Sequence, residues 1–274
     1  MEMLNLLEEI ALRASANVRR EECDYEKDGI LFCGLCNTPK QVKIPVLGIV
    51  FESMCLCKCA TEKRDRELAG EMEREKAGNI EKMRGNAFPD AGLAGCVFDR
   101  DDGSNARFSE VARRYAGRFD EMRKNGKGLL LYGPVGTGKT FMAACIANAL
   151  IDKGIPCLVT NFSRLTNELA GSYDGRQEKI DALRRYELLV IDDLGAERDT
   201  DFIGELVTQI IDARYRSGLP LIVTTNLSKE ALTNPADIRK QRVYSRLVEM
   251  CYLFEVKGKN RRLHPRKETD RVFS

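Results

Sequence analysis

Eight residues, GPVGTGKT from Gly133 to Thr140, have the spacing of a loop that cradles phosphate: a glycine, four residues, then Gly-Lys-Thr. Gly133, Gly136 and Gly138 let the backbone turn tightly and bring its N–H groups against phosphate oxygens, with Pro134, Val135 and Thr137 completing the wrap. Lys139 is a point charge for the β- and γ-phosphates, and Thr140 is a hydroxyl for Mg²⁺. Such a loop needs a second strand that ends in an acid for the metal. ELLVIDD, Glu187 to Asp193, supplies Asp192. Asp193 stands where ATPases of this kind commonly place a glutamate to orient the attacking water. One methylene shorter, it predicts a longer reach, slow turnover, or help from Glu197 in DDLGAE. A third strand, LIVTTN, ends on Asn226, a polar group able to touch the γ-phosphate and the water. These residues predict ATP and Mg²⁺ as ligands and hydrolysis of ATP to ADP and phosphate as the reaction.

A second constellation lies upstream. Cys33-x₂-Cys36 is followed by Cys55-x-Cys57-x-Cys59, five thiols within 27 residues. Four soft ligands in a tetrahedron suit zinc, and a C-x₂-C knuckle facing a second knuckle provides them. Gly34, Asn37, Thr38 and Pro39 favour a tight first knuckle. Cys33, Cys36, Cys57 and Cys59 are the expected ligands, with Cys55 the alternate and Cys23 more remote. An all-thiolate site leaves no position for substrate, so the expected role of Zn²⁺ is structural. Cys96, Cys145, Cys157 and Cys251 lie singly in apolar stretches and read as core, and His264 sits in a basic tail.

The elements that must position these residues follow from the pattern. Short, near-continuously apolar strands at Leu129–Tyr132, Cys157–Thr160, Leu188–Asp192, Leu221–Thr225 and Tyr252–Val256 alternate with helices at Lys139–Ile151, Ser163–Ala170, Asp201–Arg216 and Pro235–Met250. Apolar strands of this kind are covered by helices on both faces of a parallel sheet, so the fold class is a three-layer α/β P-loop domain. It occupies residues 88–274. Residues 1–59 form a small zinc-binding N-terminal domain. Residues 60–87 read as a charged helical linker: 60–84 hold seven basic and seven acidic side chains, with Gly70 and Gly78 weakening the helix.

At 274 residues, 43% hydrophobic and 31% charged, the composition is that of a globular protein. A net charge of +2 excludes an overall basic field, so nucleic-acid contacts need local patches. Residues 257–271 hold seven Lys/Arg against two acids, and Arg164, Arg176, Lys179, Arg184 and Arg185 cluster after the second strand, with Phe162 and Tyr173 as stacking candidates. The N-terminal MEMLNLLEEIALRASANVRR carries acids inside its apolar pattern, which is no signal peptide, and no run has the length to cross a bilayer. A cytoplasmic protein without a membrane partner is expected.

GPVGTGKT, LLVIDDLGAE and VTTNLS, in this order and spacing, resemble the AAA+ ATPases of the bacterial and phage helicase-loader family (DnaC/DnaI type), which is related to the IstB-type transposition helper ATPases. The resemblance covers Asn86 to Arg262. It implies an ASCE core in which the phosphate-loop strand sits beside the strand ending at Asn226. It further implies that Arg246, in QRVYSRL, is an arginine finger for a neighbouring subunit's nucleotide, with Arg242 one turn earlier as second candidate. Arg262 aligns with the sensor-2 arginine acting in cis, with Arg261 as alternative, although the aromatic that usually precedes that arginine is absent here. The resemblance also implies single-stranded DNA, a DnaB-type replicative helicase gripped by the zinc domain, and self-association as partners. Rival readings are a transposition helper, a nucleotide-gated adaptor that hydrolyses little, and a small-molecule kinase using the same loop. The cysteine cluster disfavours the first, Asp193 keeps the second open, and DDLGAE with the arginine pair argues against the third.

Overall fold

The structure is a computed structural model that describes residues 20–46, 49–171, 175–198 and 200–263. Tyr173, His264 and the basic stretch beyond residue 263 lie outside the described residues. The chain divides into two compact units, Met1–Ala77 and Gly78–Ser274.

The first unit carries two antiparallel hairpins. β1 (Tyr25–Lys27) pairs with β2 (Ile30–Phe32), and β3 (Gln41–Val46) pairs with β4 (Ile49–Met54). Neither hairpin is marked by a strong periodic pattern, because both are short and largely exposed. Leu31 is the one large aliphatic side chain buried among the described residues up to Cys59; Cys33 and Cys57 are buried beside it in sequence. A buried ion pair, Lys40 with Asp24 at 2.5 Å, sits among them. The Asp24 carboxylate also accepts from the Glu21 amide (2.8 Å) and the Gly34 amide (3.3 Å). Gly34 has no substitute here: a Cβ would lie 1.8 Å from the Cys23 carbonyl oxygen.

α1 (Lys58–Ala87) runs through Gly70 and Gly78 without a break. Its surface carries i,i+4 pairs such as Arg66 with Glu62 and Lys63 with Glu67. Each such pair contributes only about 0.3–0.5 kcal/mol. Ile80 and Met83, near its end, pack on the core of the second unit.

That core is a five-stranded, wholly parallel sheet in the order β6-β7-β8-β5-β9, with β5 Gly128–Tyr132, β6 Cys157–Asn161, β7 Leu188–Leu194, β8 Leu221–Thr225 and β9 Cys251–Glu255. Period-two alternation sends successive side chains to opposite faces. Leu129, Leu131, Val159, Leu188, Val190 and Ile222 join a cluster with α2 (Ala106–Gly117) and α3 (Lys139–Ile151). Leu130, Leu158, Leu189, Ile191 and Val223 join another with α4 (Phe162–Ala170), α5 (Asp201–Ser217) and α6 (Ile238–Met250). These are the three layers expected. β5 lies directly beside β8 in register Leu129 to Ile222, as the resemblance implies.

Most boundaries fall within two residues of the sequence reading, and two of the shifts are the following. The helix expected from Pro235 begins at Ile238, because the Asp237 side chain caps it by accepting from the Arg239 amide at 2.8 Å. The strand expected from Tyr252 begins one residue earlier. The buried guanidinium of Arg214 donates to the carbonyls of Tyr186, Glu187 and Pro220 at 2.6–2.8 Å and so ties down the strand entries at the end of the sheet away from the acids. No helix among the described residues is long and apolar enough to cross a membrane.

Candidate nucleotide site and thiol cluster

Where β5 ends, the chain passes through Gly133 (φ 138°), Gly136 (φ 76°) and Gly138 (φ 90°) and enters α3. A side chain at Gly133 would strike the Val256 carbonyl oxygen at 2.4 Å, so that glycine is needed for space as well as for backbone conformation. Gly138 occupies the N-cap and offers no side-chain oxygen, so the first amides of α3 are left for an external acceptor. Amides at a helix start, aided by the helix dipole, are an anion site. Thr137, buried, donates to the Pro134 carbonyl at 2.9 Å and pins the loop's turn.

Lys139 is 5% exposed. Its Nζ donates to the carbonyls of Gly133 and Pro134 and to Asn226 Oδ1, each at 2.8 Å. Burial pulls its pKa below the usual lysine range, against the opposing pull of Asp193 and Asp192. Thr140 Oγ1 donates toward both Asp192 oxygens, at 2.8 and 3.0 Å. Burial lifts the Asp192 carboxyl above the ordinary carboxylate range, and the hydroxyls of Thr224 and Thr140 work the other way. Hydrogen bonds therefore join Lys139 and Thr140, at the start of α3, to Asn226 just past β8 and to Asp192 on β7.

A cleft of about 400 Å³ opens over this group. Val135 through Phe141 line it, with Asp193, Asn226, Arg261 and Arg262. Both candidates for the cis arginine thus face the same space. Arg261 is the more firmly placed. Its amide donates to the Gly136 carbonyl (3.0 Å), and its guanidinium reaches Asp102 (3.2 Å) and Ser104 Oγ (2.5 Å). Arg262 is exposed. Arg100 and Asp102 also line the cleft, and nothing in their local sequence marks them.

The second acid is set by a bulge. Ile191 pairs with Val223 and Leu194 with Thr225, so β7 spends one more residue than β8 over the same length. Asp193 sits in that bulge with φ 56°, a left-handed conformation that aspartate tolerates better than most residues. Thr224, fully buried, accepts from the Asp193 amide at 3.0 Å and donates to Asp192 Oδ1. Glu197 does not reach the cleft. Its carboxylate accepts from the Gly195 amide at 2.8 Å and faces a separate groove of about 280 Å³.

Arg246 does not line its own chain's cleft. It pairs with Asp212, which also takes Arg242 at 3.4 Å, and lies 5.6 Å over the Tyr215 ring. Among the nucleic-acid candidates, Phe162 is 0% exposed in the core, so it cannot stack on a base. Its position as first residue of α4 turns it inward. Arg164 pairs with Glu168 (3.0 Å), Arg184 with Asp181 (3.8 Å), and Arg176 lies over the Phe202 ring (5.2 Å).

In the first unit the sulfurs of Cys33, Cys36, Cys57 and Cys59 all lie within 4.8 Å of one another. The Cys33–Cys59 and Cys57–Cys59 separations are 3.6 and 3.3 Å. Tetrahedral thiolates at about 2.3 Å from zinc stand about 3.8 Å apart, so the donor set and spacing fit that ion. Cys55 points elsewhere, its sulfur donating to the Pro39 carbonyl at 3.5 Å. The Thr38 hydroxyl, 3.0 Å from Cys36 Sγ, is the largest influence holding that thiol down at about 5.

Known proteins carry the same architecture. A family model described as IstB-like ATP binding protein matches residues 103–269. The replicative helicase loader DnaI of Bacillus subtilis is 30% identical over 189 residues, which is 63% of this chain and 60% of the relative. The replicative helicase loader DnaC of Escherichia coli is 29% identical over 126 residues, 44% of this chain and 50% of the relative. The matched part is thus at most about 60% of these relatives' own length. A crystal structure of DnaI superposes with a TM-score of 0.51 at 29% identity, covering 64% of this chain and 94% of that one. The second unit's sheet is the AAA+ P-loop sheet of that structure.

Proposed function

From the premise that the chain belongs to the IstB-like ATP-binding protein family, we propose that it is an ATP-dependent helicase loader acting in the bacterial cytoplasm. The observation that carries this reading is the four-thiol cluster, held in a compact unit separate from the nucleotide cleft and outside the family match. Nucleotide binding needs no such unit, which supports giving it the separate task of gripping another protein. The names of the relatives point to a replicative helicase as the partner; the proposal takes it to be of DnaB type, with single-stranded DNA beside it.

The second unit is proposed to work as follows. The loop amides and Lys139 bind the phosphates, and Thr140 and Asp192 hold Mg²⁺. Held there, Mg²⁺ would supply positive charge to offset that of the phosphates. Asp193 orients the attacking water, Asn226 reports on the γ-phosphate through Lys139, and Arg261 or Arg262 acts in cis. The short Asp193 makes turnover slow, down to an adaptor that hydrolyses little. Arg246 completes a neighbour's site, so the active form is an assembly of subunits.

Two experiments test this. The full-length protein is expected to co-purify with a DnaB-type helicase in the presence of ATP and to promote its transfer onto single-stranded DNA. Capture of a transposase instead, which the family's IstB members make the second reading, sinks the loader assignment. For the trans arginine, Arg246→Ala is expected to cut hydrolysis by about 10³-fold, the scale of a lost arginine finger. Mixing Arg246→Ala subunits with Lys139→Met subunits then restores activity that neither has alone, because one supplies the site and the other the arginine. A mixture no more active than its parts refutes the role in trans.

A further inference from the structure

Thr224 lies inside VTTNLS but the sequence gives it no role, yet it is the side chain through which β8 holds both acids of β7. A bulged residue loses its partner across the ladder, and an orphaned buried amide is costly. The Thr224 hydroxyl fills that gap at Asp193 and spends its own proton on Asp192 Oδ1. One hydroxyl therefore fixes the backbone of the second acid and the carboxylate of the first. We infer that Thr224 is a positioning residue for ATP hydrolysis, holding the β7 bulge so that the Asp193 carboxylate is aimed into the cleft at the attacking water.

This rests on the ATPase reading above. In the step concerned, the water oxygen forms a bond to the γ-phosphorus, the bond from that phosphorus to the β–γ bridging oxygen breaks, and ADP leaves with the electron pair. The proton of the water passes to Asp193 and from there to solvent or product phosphate. An aspartate, one methylene short of a glutamate, reaches that water only if its backbone is brought forward. The bulge and its left-handed φ supply the displacement. Thr224 also stands two residues before Asn226, which follows directly on the end of β8. A shift of β8 on γ-phosphate loss is thereby transmitted to Asp193 through one hydrogen bond.

The test is a kinetic comparison on the full chain. Thr224→Val removes the hydroxyl at nearly constant volume and is expected to lower kcat by roughly tenfold to a hundredfold, toward the loss seen when a general base is removed. Affinity for nucleotide without Mg²⁺ should stay within about threefold, and Thr224→Ser should keep kcat within about threefold. Asp193→Asn should cause at least as large a loss, and the double variant Thr224→Val with Asp193→Asn should be no worse than Asp193→Asn alone. If Thr224→Val does not fold, Thr224→Ala removes the same hydroxyl without altering the backbone type and is read in the same way. Unchanged kcat without the hydroxyl, or losses that multiply in the double variant, overturns the inference and leaves the ATPase reading intact. Absence of hydrolysis by the unaltered protein with helicase and single-stranded DNA present overturns the reading itself, and the inference with it.

Discussion

Lys139→Met is expected to weaken binding of Mg²⁺–ATP by about 10²–10⁴-fold while leaving the melting transition of the second unit close to that of the unaltered protein. The magnitude follows from the chemistry of the ammonium group. Each hydrogen bond from a charged donor is worth about 1.5–3 kcal/mol, and the β- and γ-phosphates would share two. At about 1.4 kcal/mol per tenfold in affinity, that gives the range stated. Methionine keeps a stem of similar length in a position that is 5% exposed, so packing is largely retained. The variant takes a donor from the Gly133 carbonyl and from Asn226 Oδ1, while the Pro134 carbonyl keeps the Thr137 hydroxyl. Gly133 is only partly buried, so water can replace the lost donor there. Titration of a fluorescent ATP analogue measures the affinity, and circular dichroism on heating measures the fold. An affinity within about threefold of the unaltered protein would show that the loop does not cradle phosphate. Asp192→Asn is the informative companion: nucleotide binding without metal persists, and the increment contributed by Mg²⁺ is lost.

How much of this site can be read from residues alone depends on how local its physics is. Gly133 to Thr140 is contiguous, and each residue's type follows from what a phosphate loop requires, so the loop, its strand and its helix are all legible. Asp192 and Asn226 are legible because each ends an apolar strand, and parallel strands present their C-terminal ends together. Thr224 is hidden for the opposite reason. A threonine inside LIVTT looks like any β-branched strand residue, and its role appears only when the neighbouring strand bulges by one residue. Arg100 and Asp102 reach the cleft from a segment distant in sequence, and Arg261 is held there by contacts to Asp102, Ser104 and Gly136, none of them sequence neighbours. Phe162 is misread because position next to basic residues says nothing about the direction of its side chain; the start of α4 faces the sheet. In the first unit the thiol spacing is legible, but the hairpins are not, since strands this short and exposed carry little alternation.

That scarcity of core sets up the second large effect. Removal of metal by a strong chelator, or Cys57→Ser, is expected to unfold the hairpin region over residues 20–57 while the nucleotide-binding unit keeps its cooperative melt. Fully burying a leucine is worth about 1.5–3 kcal/mol, whereas ordering the backbone costs about 1–2 kcal/mol per residue. Leu31 and two buried cysteines cannot offset the ordering of two hairpins, and the Lys40–Asp24 pair pays its own desolvation. Structural zinc in small domains supplies about 10–16 kcal/mol on binding, far more than the burial of Leu31 contributes. The purified protein is therefore expected to carry one zinc per chain by elemental analysis. Chelation should expose protease sites between residues 20 and 57 and leave ATP-analogue binding within about threefold. Cys55→Ser should retain the full zinc content, because its sulfur faces the Pro39 carbonyl rather than the cluster. Cys33→Ser and Cys57→Ser should each lose it, since both sulfurs approach Cys59 within 3.6 Å in the buried part of the cluster. Lys40→Met is the finer probe. Its ammonium is the buried cation whose charge is felt by Cys33 and Cys57, so its loss should weaken zinc retention against a competing chelator without abolishing it. Zinc absent from the unaltered protein, or undiminished in Cys57→Ser, would remove the metal from the account and leave the hairpins without a source of stability.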